Sequence, residues 1–162
     1  MQWLSNTLYK LSVYVISIML GTMLVVTLLE VFARNVLGFS FSWSGELSRF
    51  LLIWITFFGA SAVYKRLEMP AFDLLTAKLS EKKNGSIIFK ITNLLIIVFS
   101  VIIAYSGFLE SFSKTVRMQS TPSLNISMTY PYLAIPIGMT IILIHATAFL
   151  IGEKANKKGV RL

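Results

Sequence analysis

Five side chains stand out as able to do chemistry in a chain otherwise poor in charge. Glu30, Glu46, Arg49, Glu110 and His145 lie in or beside long apolar runs. An ionisable group inside a membrane helix is costly, and where one occurs it commonly marks an ion or proton path. The spacing here argues for a quieter role. Glu30 and Arg34 are four residues apart, as are Glu110 and Lys114, while Glu46 and Arg49 are three apart. Each acid thus has a cation one turn away on its own helix face, which pairs charges and marks a helix end. Local ion pairs at anchored helix ends are therefore predicted, not ion translocation. His145 has no acidic neighbour one turn away and reads as a hydrogen-bonded packing residue rather than a proton relay. Gly59-Ala60-Ser61-Ala62 is a small-residue patch where another helix is expected to approach closely.

Catalytic sets are not recognisable. The sequence has no GxxxxGK[ST] phosphate loop, which argues against an ATP-driven engine. It has no cysteine, one histidine and no HExxH pair, so neither a metal site nor a cofactor site is expected. A serine with a positioned base is not evident either. No span has the mid-helix Gly/Pro interruption of a broken substrate-binding helix; Pro136-Ile137-Gly138 comes closest.

The elements that hold these residues follow from composition. Of 162 residues, 56% are hydrophobic and 14% charged, with mean hydropathy +0.74. An ordinary soluble domain is about 25% charged, so this surface is expected to face lipid. The net charge of +8 then sets membrane topology more naturally than it binds nucleic acid.

Charges punctuate the apolar runs. Nineteen uncharged residues separate Lys10 from Glu30, and nineteen separate Lys90 from Glu110. Each run matches the ~20 residues that a helix needs to cross a bilayer. Gln119 to Asn125 is polar and turn-like, so the last span is expected to open near Tyr130-Pro131. The second run, Phe50 to Tyr64, holds only 15 uncharged residues, too few to cross. Its helix must start earlier, carrying Glu46 and Arg49 into the interface with Trp43 at headgroup depth. The expected fold is an all-α bundle of four transmembrane helices in a single membrane domain, at about 11–33, 45–66, 87–113 and 131–152. The first apolar run exceeds a signal-peptide core, and no Ala-x-Ala site follows it, so it reads as retained.

With an inside N-terminus, eleven cations lie inside and four outside: Arg34, Arg49, Lys114 and Arg117. Both termini are therefore expected in the cytoplasm. Two inside segments read as short interfacial helices. One is about 70–80, with Phe72, Leu75 and Leu79 on one face; the other is Met1 to Lys10, with Trp3, Leu4 and Leu8. A faint internal echo, Glu30-x-Phe32-x-Arg34 against Glu110-x-Phe112-x-Lys114, ends the two outward-running spans.

Several residues around the second span resemble a known signature. These are Arg34, Trp43-Ser44-x-Glu46-x-x-Arg49-Phe50, Trp54, Phe58-Gly59-Ala60, Phe72-Asp73-Leu74 and Ile135-Pro136-Ile137-Gly138. In order and spacing they are similar to the small (Q-type) membrane subunit of tripartite ATP-independent periplasmic (TRAP) transporters. One departure is at Met69-Pro70, where the family often has a His before the Asp. The resemblance implies a multi-pass protein of the bacterial inner membrane that packs against the scaffold of a large elevator-type subunit. It also implies sodium-driven uptake of an organic acid, such as a C4-dicarboxylate or sialic acid, delivered by a periplasmic binding protein. Sodium is then expected on the large subunit, and this chain is expected to need no cofactor and not to be an enzyme. Arg34, Trp43, Glu46, Arg49, Trp54, Gly59, Ala60 and Asp73 become candidates for subunit docking or lipid anchoring. The alternative is a self-sufficient four-helix exporter working as a homodimer, which needs a mid-membrane acid that the sequence does not place.

Overall fold

The computed structural model describes residues 2–66 and 85–159, with side chains described over 2–66 and 90–150. The expected interfacial helix at 70–80 and Asp73 lie outside these residues. Helix α1, Gln2–Phe32, continues into a π-helical turn, Ala33–Leu37. Then come α2 (Ser44–Arg66), α3 (Gly85–Ser111), a short α4 (Lys114–Met118) and α5 (Thr129–Gly159). Among the described residues the only β pairing is an isolated bridge between Ser120 and Ser127. Among the described residues four stretches are long and apolar enough to span a membrane: Gln2–Leu37, Ser44–Arg66, Lys90–Ser111 and Thr129–Leu150. The four-helix expectation is met.

The expected boundaries shift where the chain has no reason to stop. From Gln2 to Leu20 there is neither Gly nor Pro, so nothing breaks the helix at Lys10. The N-terminal segment is therefore not a separate interfacial helix but the first turns of α1. Ser5 and Ser12, two turns apart, are buried on one face of it. At the other end the π turn closes on Gly38, which has φ +73° and donates its N–H to the Ala33 carbonyl. That left-handed conformation suits glycine.

Helix α3 stops at Ser111, short of the expected 113, and α4 was not anticipated. The Ser113 hydroxyl caps α4 by accepting from the Val116 N–H at 3.3 Å. Helix α5 starts at Thr129 with Pro131 in its first turn, runs through Pro136 unbroken and extends to Gly159.

α5 is the axle of the bundle. Of its span 44% is buried, against 17% for α2 and for α3 and 6% for α1. α2 and α3 both pack on α5, and α1 packs chiefly on α2. Tyr64, Ile142 and Ala146 centre the core, backed by Ala60, Ile96 and Met139. The Pro136-Ile137-Gly138 unit lies at two helix contacts, not at a break. A Cβ built on Gly138 would lie 2.6 Å from Phe57 Cβ and 3.2 Å from the Phe57 carbonyl carbon and oxygen. α2 therefore touches α5 backbone to backbone there. The Pro136 ring rests on Gly107 of α3, where an added Cβ would meet its Cδ at 3.1 Å.

The Gly59-Ala60-Ser61-Ala62 patch is divided between two sides of α2, with Ala60 packed on the core. Ser61 and Ala62 are buried, but an added Cβ at Gly59 meets nothing within 4 Å. The close approach that glycine permits occurs at Gly138.

Candidate functional site

Antiparallel packing gathers polar side chains at the two ends of the bundle. The start of α1, the end of α2, the start of α3 and the later turns of α5 form a basal end. The α1–α2 loop and residues 112–128 form an apical end.

At the apical end the carboxylates do not hold their neighbouring cations. Glu30 accepts from the Ser40 hydroxyl and from the Phe41 N–H at 2.9 Å. It therefore fastens the chain entering α2 to the end of α1. Glu46 reaches further. Both its oxygens accept from the Ser123 N–H, at 3.1 and 3.2 Å, and Oε2 also accepts from the Leu124 N–H at 3.0 Å. Those amides converge because the 119–128 loop folds back on itself. Thr121 N–H bonds the Ile126 carbonyl, Met128 N–H bonds the Gln119 carbonyl, and Asn125 is left-handed at φ +52°. Glu46 sits in the first turn of α2, where the helix dipole also favours a negative charge. Glu110 is exposed and accepts weakly from Ser113 Oγ at 3.4 Å.

The predicted local ion pairs are thus corrected. Among the described residues no ion pair joins Glu30 to Arg34, Glu46 to Arg49 or Glu110 to Lys114. Backbone amides win because they are fixed in place, whereas pairing two exposed long side chains costs rotamer entropy for little Coulomb gain. Arg34 and Arg49 are both exposed. Trp43 is half-buried, with its ring 5.5 Å from Phe41, and the Trp54 ring lies tilted at 41° to that of Phe58, 5.4 Å away. The structure thus brings Trp43 and Glu46 to one end of α2, with Arg49 on its outer face. Among the described residues there is no group of His, Asp and Glu that could hold a metal.

Removing the Glu46 clasp should loosen the apical loop and leave the bundle standing. Glu46→Ala removes the charge-assisted bonds that hold the 119–128 loop to the start of α2. Amide exchange at Ser123 and Leu124 should rise while that of α5 holds. Unchanged exchange at both amides would show that the loop closes without Glu46.

At the basal end each spanning helix contributes one polar residue to a buried cluster. Ser5 Oγ of α1 lies 2.8 Å from His145 Nδ1 of α5. The Tyr64 hydroxyl of α2 donates to Asn93 Oδ1 of α3, and Asn93 Nδ2 donates to the Ala146 carbonyl at 3.0 Å. Ser5, Asn93 and His145 are all essentially inaccessible. Two cations flank the cluster on aromatic faces: Lys65 over Phe149 and Arg66 over Tyr9, each at 5.3 Å. His145 packs in the core hydrogen-bonded through Nδ1, as its sequence context suggested, while its Nε2 is buried without a hydrogen-bond partner. Ser5, Tyr64 and Asn93 were not singled out, because they carry no charge. The available signal was an Asn inside a nineteen-residue uncharged run, since an amide at that depth must find a partner. Ser5 and His145 do set a hydroxyl beside an imidazole, but both are fully buried, so the pair faces no surface from which a substrate could reach it. What it can do is fix four helices against one another.

Residues 23–154 match the family model described as tripartite ATP-independent periplasmic transporters, DctQ component. No curated protein matches the chain.

Proposed function

Because the chain belongs to the DctQ family of small TRAP-transporter subunits, we propose that it is the stationary accessory subunit of such a transporter. In this reading it braces the large membrane subunit while that subunit carries an organic acid and sodium inward from a periplasmic binding protein. C4-dicarboxylates and sialic acid typify the cargo. One observation carries the reading: the best-placed carboxylates, Glu30 and Glu46, are occupied in holding the chain's own loops. A group that must release and rebind sodium cannot also serve as a permanent fastener. A fixed frame, in contrast, benefits from clasped loops and a cross-linked basal core. The cation distribution, eleven against four, supports both termini in the cytoplasm of a bacterial inner membrane.

Proteoliposomes test this reading directly. The chain alone should move no organic acid under a sodium gradient or a membrane voltage. Addition of the large subunit and the binding protein should give sodium-driven uptake that is lost when this chain is left out. A reporter fused after Gly159 should read as cytoplasmic and one at Ser120 as periplasmic. Substrate flux through this chain by itself would overturn the accessory role and favour a homodimeric exporter.

A further inference from the structure

The outward faces of the helices differ in chemistry. On α3 every exposed residue from Ile91 to Tyr105 is large and apolar or aromatic, as a lipid-facing surface should be. On α2 the exposed residues are Gly45, Arg49, Leu52, Thr56, Val63 and Arg66. Their spacing of three, four and seven places them in one stripe, with half-buried Gly59 in line between Thr56 and Val63. Only two of these seven are large and apolar. An added Cβ at Gly45 or Gly59 meets nothing, so the stripe is also recessed.

Charge decides what lies against it. Arg49 stands about 7 Å inside the start of α2. Its nearest acid in sequence, Glu46, is bound to Ser123 and Leu124. A guanidinium at that depth in a membrane needs a counter-charge, and the chain's own described acids do not supply it. A second copy of this chain packed on the same stripe would set Arg49 against Arg49, and headgroup phosphates, which can reach a guanidinium so near the helix end, do not fill the recessed Thr56–Gly59 stretch deeper in the span. On the accessory-subunit reading above, we propose that this α2 stripe seats a transmembrane helix of the large subunit whose carboxylate faces Arg49. Thr56 and Gly59 let that helix approach closely, and its acid completes a pair at the apical end.

Two experiments on the assembled transporter decide it. A photo-crosslinking residue placed at Thr56 should form an adduct with the large subunit, and one at Phe99 only with lipid. Adducts from Thr56 with lipid alone, or with a second copy of this chain, would overturn the proposal. Separately, Gly59→Leu and Arg49→Glu should each lower co-purification of the large subunit by more than about tenfold, with Lys114→Glu as an unaffected apical control. The added side chain in Gly59→Leu starts into open space, so normal yield and helicity of that variant alone keep the test clean. Wild-type co-purification together with unchanged recovery of both variants refutes the α2 seat only. Failure of the wild-type chain to bind the large subunit refutes the accessory role itself.

Discussion

Gly138→Ala should destabilise the bundle by about 2 kcal/mol, although alanine is ordinarily the better helix former by about 1 kcal/mol. The new methyl would fall 2.6 Å from Phe57 Cβ and 3.2 Å from the Phe57 carbonyl. Neither is the far end of a flexible side chain, so relief requires α2 and α5 to move apart. That contact joins the central helix to the helix carrying Glu46, so the damage would spread to the apical loop. Gly59→Ala is the matched comparison. It adds the same methyl to open space and should be neutral or stabilising. Thermal unfolding in detergent, followed by helix ellipticity, should therefore shift down for Gly138→Ala and stay level or shift up for Gly59→Ala. Equal shifts would show that the α2–α5 contact is not tight.

Asn93→Leu should cost about 2 kcal/mol, removing two buried interhelical bonds at once. The leucine keeps the volume but takes the acceptor from the Tyr64 hydroxyl and the donor from the Ala146 carbonyl. Combining it with Tyr64→Phe should cost clearly less than the sum of the two single changes, because both remove the same bond. Strict additivity in the unfolding midpoints would mean that Tyr64 and Asn93 do not act as a pair.

Hydropathy makes the four spans legible because each is a long run nearly free of charge, and the expected second helix, 45–66, lies within a residue of Ser44–Arg66. The short α4 was not legible, since five residues offer no periodicity and its cap is one serine. Nor were the partners of the carboxylates. Spacing along a helix reports neighbours on that helix alone, whereas Glu46 bonds amides 77 and 78 residues away. The glycines teach the same lesson. Gly59 and Gly138 look alike locally, and only the packing of a distant helix makes one of them irreplaceable. The basal cluster escaped for a chemical reason: attention to charge passes over Ser5, Tyr64 and Asn93, yet in hydrocarbon a neutral amide also demands a partner.

The length of α1 has a mechanical meaning. From Gln2 to Leu37 the helical path is 36 residues, roughly 54 Å at 1.5 Å per residue, against a hydrocarbon slab of about 30 Å. Even a steep lean leaves part of it outside the oil, so bilayer thickness alone does not set its depth. Its two fastenings do: Ser5 to His145 near one end and Glu30 to the Phe41 amide near the other. A rod held at both ends to its own bundle can neither slide past its neighbours nor change its angle to them. A change in lipid thickness therefore has to be met by the bundle leaning as one body, with the apical and basal fastenings kept in register.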